Sequence, residues 1–287
     1  MEQPNPLSKY FRQPTLFVSL PSAGRWYNSE TITYSNNNND EQEVAVYPYT
    51  AMDEIMMRSP DALLNGVAVT TTLKSCVPAF ADPWEILTCD VDKLLVAMRV
   101  ASYGQKMELN ANCPHCNEEL TYDANLAVLL DSFKPVEFHA LQLSNGITIQ
   151  FRPITYRLAT KINTLRFNNE RLSIQLRHEA EANPDTDQSA ILEEIVKNSR
   201  NITHLSIAFS TEYIQTPDGN KVTKFENILE FVSNIPRELF SQIEKGLTNI
   251  TKNNKAFDDF EIVCTACHKT FNSPFSFDQS DFFVKGS

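Results

Sequence analysis

Glycine is scarce in this chain, with seven residues in 287. So few leave little material for loops that cradle phosphate, and neither GxGxxG nor the GxxxxGK loop occurs, which argues against nucleotide hydrolysis. No HExxH, no GxSxG and no spaced carboxylate pair stands out. The histidines, His115, His139, His178, His204 and His268, are scattered. No apolar run approaches the roughly 18 to 20 residues that a membrane-spanning helix needs, so no membrane partner is expected. Positive charge is also in deficit: 25 Lys and Arg stand against 36 Asp and Glu, a net charge of −11. Duplex nucleic acid is held mainly by cations that neutralise phosphates, so broad nucleic-acid binding is not expected either. Met1-Glu2-Gln3-Pro4 begins no charged and apolar secretory signal, and a reducing compartment is the default expectation.

What the chain does contain is two short cysteine hooks, Cys113-Pro114-His115-Cys116 and Cys264-Thr265-Ala266-Cys267. A two-residue spacer lets both sulfurs of a turn face one point, so Cys113, Cys116, Cys264 and Cys267 together suit one tetrahedral Zn2+. The flanks agree. Met107-Glu108-Leu109 precedes the first hook and Leu120-Thr121-Tyr122 follows it; Phe260-Glu261-Ile262-Val263 precedes the second and Phe271 follows. Each hook therefore reads as a knuckle at the tip of a β-hairpin. Because 148 positions separate Cys116 from Cys264, whereas compact zinc ribbons keep their halves within about 20 residues, this ribbon has to carry a long insertion. Its last residues must fold back to meet its middle.

The same hooks admit other chemistry. Cys113-Pro114-His115-Cys116 has the form of a dithiol oxidoreductase motif, although that motif needs its first sulfur at a helix N-terminus and a strand-like stretch follows here. Cys264-Thr265-Ala266-Cys267-His268 fits the CxxCH pattern of covalent haem, and two disulfides would also use four cysteines. A zinc-dependent nucleic-acid module is a further alternative. His115 and His268 can replace a sulfur, but four thiolates already close the site, so both are expected beside it or exposed. Cys76 and Cys89 sit among apolar neighbours and are expected to act as small buried hydrophobes.

The fold class expected is α+β: a mixed helical protein in which a split four-cysteine ribbon encloses a long helical insertion. A hydrophobic content of 42% in 287 residues supports one large or two ordinary domains. Residues 1–49 read as an extended aromatic arm, broken by Pro4, Pro6, Pro14 and Pro21 with a short strand at Thr15-Leu16-Phe17-Val18; it either wraps its own core or docks on a neighbour. A polar loop tip is expected at Asn36 to Asn39. Residues 50–106 form a small helical region. Thr50 caps its first helix, Pro60 opens a second that Gly66 stops, and Asp90 caps a third over 91–103 ending at Gly104. Residues 107–153 hold the first hook, a short helix over 123–133 and a hairpin turning at Ser144-Asn145-Gly146. The insertion, 154–254, reads as helices 155–182 and 185–213 joined at Asn183-Pro184, then a hairpin tipped by Thr216-Pro217-Asp218-Gly219-Asn220, then helices 225–233 and 236–251. Arg157, Lys161, Arg166, Arg171 and Arg177 make the first of these basic, as a solvated face or as a dock for an acidic partner. Residues 255–287 hold the second hook and a tail with Phe275, Phe277, Phe282 and Phe283, whose aromatics imply docking.

A run of phrases carries more. Tyr10-Phe11-Arg12-Gln13-Pro14, Leu20-Pro21-Ser22, Asp53-Glu54-Ile55, Pro60-Asp61-Ala62-Leu63-Leu64-Asn65-Gly66, Ser75-Cys76-Val77-Pro78 and Arg99-Val100-Ala101-Ser102-Tyr103-Gly104, leading into the first hook, follow one another in order. As a set they make the first 130 or so residues resemble the baseplate hub proteins of contractile-tailed, T-even type bacteriophages. The resemblance implies a structural or assembly role at the centre of a tail baseplate, with no catalytic residues. It further implies contact with hub, wedge or tape-measure proteins, and a passage from the host cytoplasm during assembly to the virion tail. The helical insertion carries no matching phrase.

Overall fold

The computed structural model describes residues 5–35, 42–182, 189–254 and 260–273. The expected tip at Asn36 to Asn39, the Asn183-Pro184 joint and the phenylalanines beyond Ser273 lie outside these residues. The chain divides into two compact units, one made of residues 1–136 with 256–287 and the other of 137–255. Within the described residues it is a mixed α+β protein with small antiparallel sheets, and no helix is long and apolar enough to cross a membrane.

In the first unit, strand β1 (Leu16–Ser19) pairs antiparallel with β2 (Glu43–Val46). Alternation buries Val18 on one strand and Val44 and Val46 on the other; the Thr33 N–H donates to the Ala79 carbonyl and the Tyr47 N–H to the Cys76 carbonyl, tying the segment to its own unit, while Tyr10, Phe11 and Phe17 stay exposed. Helix α1 (Ala51–Met57) starts as expected: Thr50 and Asp53 exchange side-chain and backbone hydrogen bonds in a capping box. Helix α2 (Pro60–Leu64) has Pro60 in its first turn, and Gly66, at φ +77°, ends it and turns the chain directly into α3 (Val67–Cys76). This helix lies inside the helical region expected over 50–106, where none was singled out at these residues, and Val67, Val69 and Thr70 to Thr72 are β-branched and poor helix formers. Burial of Ala68, Val69, Thr72, Leu73 and Cys76 on one face overrides that preference.

Helix α4 (Thr88–Tyr103) corrects a second expectation. It begins two residues before Asp90, so Asp90 is not its cap. The carboxylate is buried and accepts from the Ser22 N–H at 2.8 Å and the Tyr27 hydroxyl at 2.7 Å, and that hydroxyl accepts in turn from the Leu87 N–H at 2.7 Å. Asp90 thus ties the N-terminal segment to the helix. Burial raises its carboxyl, against the hydrogen bonds from Ser22, Tyr27 and Cys89.

One turn face away, half-buried Asp92 is raised from 3.8 to about 6 by burial. A folded-state value above the unfolded one means that the native state holds its proton longer. Asp92 therefore favours folding at pH below about 4, loses that contribution as pH rises through about 6, and leaves a constant cost above it. Asp92→Asn is expected to raise the denaturation free energy at pH 7.5 by about 2 kcal/mol and to flatten the slope between about pH 4 and 6. Urea midpoints of both proteins across that range test this, and parallel curves would show that Asp92 does not titrate there.

Strands β3 (Lys106–Asn112) and β4 (Glu119–Asn125) form the first hook's hairpin. The helix expected from Asp123 starts later, as α5 (Leu126–Ser132), because Asp123 pairs with Glu108 in the ladder and Asn125 supplies the cap to the Ala127 N–H.

The second unit has its own core. Strands β5 (Leu141–Gln142), β6 (Thr148–Phe151), β7 (Thr211–Gln215) and β8 (Lys221–Val222) form an antiparallel sheet in that order. Helices α6 (Tyr156–Ala182) and α7 (Ser189–Phe209) lie between β6 and β7, and α8 (Phe225–Asn234) and α9 (Arg237–Asn253) follow β8. The second long helix stops at Phe209, earlier than expected, since Thr211 to Ile214 enter the sheet beside β6. Pro236 precedes α9 and does not sit in its first turn. Ile149, Phe151, Ile207, Ile214, Ile228 and Ile243 are buried together. Gly246 of α9 packs closely on β5, where a Cβ would meet Leu141 Cδ2 at 2.6 Å and oblige that side chain to shift. At the ends of the unit the Glu137 N–H donates to Asn254 Oδ1, and Asn254 Nδ2 donates back to the Glu137 carbonyl, each at 2.8 Å.

Candidate metal centre

The second hook is carried by β9 (Phe260–Val263) and β10 (Thr270–Ser273), an antiparallel pair with Val263 opposite Thr270. It repeats the backbone turn of the first hook. In one, the Cys113 N–H donates to the Glu118 carbonyl and the Asn117 N–H to the Cys113 carbonyl; in the other, Cys264 bonds to Lys269 and His268 to Cys264 in the same way, all at 2.8 to 3.0 Å. The residue after each second cysteine is left-handed, Asn117 at φ +58° and His268 at +59°. Asn and His are among the side chains that tolerate this region best, which is the sequence signal for the knuckle's exit.

Both hooks belong to the first unit, and they face each other. Cys113 Sγ lies 3.7 Å from Cys267 Sγ, and Cys116 Sγ lies 3.6 Å from Cys264 Sγ. All four sulfurs fall within 4.8 Å of one another. A tetrahedral ion with bonds of about 2.3 Å to sulfur sets its ligands about 3.8 Å apart, so the set is the right size to hold one. Disulfides, at about 2.05 Å, would draw the sulfurs much closer, and all four cysteines are free. Leu120, Ile262 and Phe271 are buried with Cys113 and Cys264, and Tyr122 packs against them, forming a small apolar base below the sulfurs. Cys113 and Cys264 are buried while Cys116 is exposed, so the ion position lies at the surface of the ribbon.

The local field is already divided. The Cys264 thiol is drawn down to about 7, first by the Cys267 N–H, which points at its sulfur at 3.4 Å, and then by the Ala266 N–H. Cys116 is pushed up to about 12: the Glu118 N–H lowers it, but burial and the three neighbouring thiols outweigh that pull. A metal ion binding here must displace thiol protons. His115 and His268 are both exposed beside the hooks. Cys76 is buried, as expected, and pushed up to about 12 by burial and then by Asp53. Cys89 is half-buried and raised by burial first and Asp90 second.

A second cluster had no role assigned from sequence. The Arg12 guanidinium donates to the Pro48 carbonyl, to the Ser75 carbonyl at 2.7 Å and hydroxyl at 2.6 Å, and pairs with Asp53 at 3.4 Å. Asp53 also accepts from Thr50 and from the Ser75 hydroxyl. Nearby, the Tyr103 hydroxyl donates to Glu54 at 2.6 Å, and Arg99 lies 4.4 Å from the centre of the Tyr103 ring. Four of the phrases separated in sequence thus meet in hydrogen-bonded pairs. Ordinary composition carries no signal for such a network, because each member alone is a common surface residue.

The fold and the site together define an α+β chain whose distant segments are brought together at a split four-cysteine ribbon able to hold a metal ion. The family model described as T4 bacteriophage base plate protein matches residues 29–284, and the chain belongs to that family. The match runs from residue 29 through the helical insertion and the second hook, so the phrases Tyr10 to Pro14 and Leu20 to Ser22 lie before it. No curated protein and no solved structure matches the chain.

Proposed function

We propose that this baseplate protein is a structural or assembly subunit of the central hub region, with its ribbon closed by a structural zinc ion on Cys113, Cys116, Cys264 and Cys267. The observation that carries the metal reading is the convergence of four sulfurs from two matched knuckles at tetrahedral spacing. Four ligands leave no open coordination position, so the ion supplies no Lewis acid to a substrate; it joins segments that the insertion separates. Zinc suits the all-sulfur tetrahedral set, and iron is the competitor for the same geometry.

The hub assignment rests on the ordered phrases of the first 130 residues, of which those from Asp53 onward lie within the family match. In this reading the partners are hub, wedge or tape-measure proteins, with assembly in the host cytoplasm and residence in the tail baseplate, and the chain has no enzymatic role. The arm (1–49), helical region (50–106), hook segments (107–153 and 255–287) and insertion (154–254) are its working divisions. Quantitative mass spectrometry of purified tails, with elemental analysis of the recombinant full chain, tests both parts. The expected result is this chain alongside hub proteins and one zinc per chain; a tail lacking the chain would sink the permanent-component form, and iron or no metal would sink the zinc.

A further inference from the structure

Helix α6 is roughly 40 Å long at 1.5 Å per residue, and among the described elements α7 is its main packing partner. The two form an antiparallel seam in which Ile162, Asn169 and Leu176, spaced by heptads, are the buried residues of α6. The central position is polar. Asn169 Nδ2 donates to Ser199 Oγ at 2.9 Å and to the Ile195 carbonyl at 3.2 Å, and its buried Oδ1 has no hydrogen-bond partner. A seam asparagine fixes register at a cost in stability, so this hairpin has little burial to spare.

On the far side of α6, about half a turn from the seam at roughly 100° per residue, Phe167 and Ile174 stand one heptad apart, 45% and 42% exposed. That is a second apolar pair at coiled-coil spacing, exposed among the described residues. Exposed Arg166, Arg171 and Arg177 flank it, with Glu170 the acidic residue among them, in a chain whose net charge is −11. Two copies of α6 set face to face, parallel and in register would bring each flanking arginine against its own counterpart, and like charges across such a seam repel.

We propose that the outer face of α6 docks an amphipathic α-helix with acidic flanks from a different protein chain. Phe167 and Ile174 fill the seam of that helix, and Arg166, Arg171 and Arg177 pair with its carboxylates. The contact buries the two exposed side chains and adds a second seam to a helix otherwise supported on one side.

The test uses the full chain and two designed peptides of roughly four heptads, alike in their Leu and Ile seam, one flanked by Glu and the other by Lys. Fluorescence anisotropy of labelled peptide is expected to show the Glu peptide binding at least about 10-fold more tightly than the Lys peptide. The Phe167→Ala/Ile174→Ala pair should weaken it by about 10-fold or more, while Leu192→Ala on α7 leaves it unchanged. Both substituted side chains are exposed, so the fold survives, with circular dichroism as the check. Equal binding of the two peptides, or binding indifferent to the double substitution, would overturn the proposal. So would a wild-type dimer in sedimentation that depends on the same two residues, since a second copy would then own the face. Because the probe is a designed peptide, the result is independent of the hub assignment.

Discussion

Cys113→Ser or Cys264→Ser is expected to abolish stoichiometric metal and to remove the first unit's cooperative unfolding transition, while the second unit keeps its own. The binding free energy of a structural zinc site, on the order of 10–16 kcal/mol near neutral pH, matches or exceeds the 5–15 kcal/mol that typically holds a whole domain. The ribbon has little else: its apolar base is Leu120, Ile262, Phe271 and Tyr122 around the cysteines. Serine supplies no thiolate, and the remaining three sulfurs lose their common centre. The second unit is spared because its core draws on residues of its own sheet and helices, and its ends are clasped by the Glu137–Asn254 pair. Calorimetry of the full chain with and without a chelator checks the same point without mutation. Lowering the pH should release the metal as protons return to the sulfurs. A wild-type chain that stays fully folded without metal would remove the staple from the account.

The second large effect is expected at Asp90. Asp90→Ala strands the Ser22 N–H and the Tyr27 hydroxyl, which donate to the carboxylate in the native fold. A buried donor left unsatisfied costs about 1–3 kcal/mol, so the substitution should destabilise the first unit by about 3 kcal/mol or more. It should also free the N-terminal segment, because Ser22 and Tyr27 belong to that segment and Asp90 to α4. Amide exchange in β1 is the sensitive readout, rising well above that of α4 core amides such as Leu94. Tyr27→Phe keeps the ring packed edge-on against Phe80 and removes one hydroxyl, and should give about half the loss. Unchanged exchange in β1 would show that the strand is held by its ladder to β2 alone.

Much of this protein is legible residue by residue. The Thr50 cap, the Pro60 start, the turns at Gly146 and Gly219 and both cysteine knuckles follow from local chemistry, and all are present. Misread elements share a cause. At Asp123 a strand partner extended β4, and at Thr211 the sheet claimed residues from the end of a long helix. At Asp90 a good capping residue was drawn instead to donors almost 70 positions back. Local preference is worth a few tenths of a kcal/mol per residue, and a buried partner is worth more.

From the sequence alone came the residues able to hold a metal, the need for a long insertion between them and the resemblance to a baseplate family, since ligand type, spacing and ordered phrases are properties of a string. Only the tertiary structure decided that Cys113 meets Cys267 and Cys116 meets Cys264, that Arg12, Asp53 and Ser75 share one network, and that α6 keeps an apolar face in solvent. Those facts depend on which distant side chains come within a few ångströms of each other, and contact across a hundred residues leaves no mark on the neighbours of either partner.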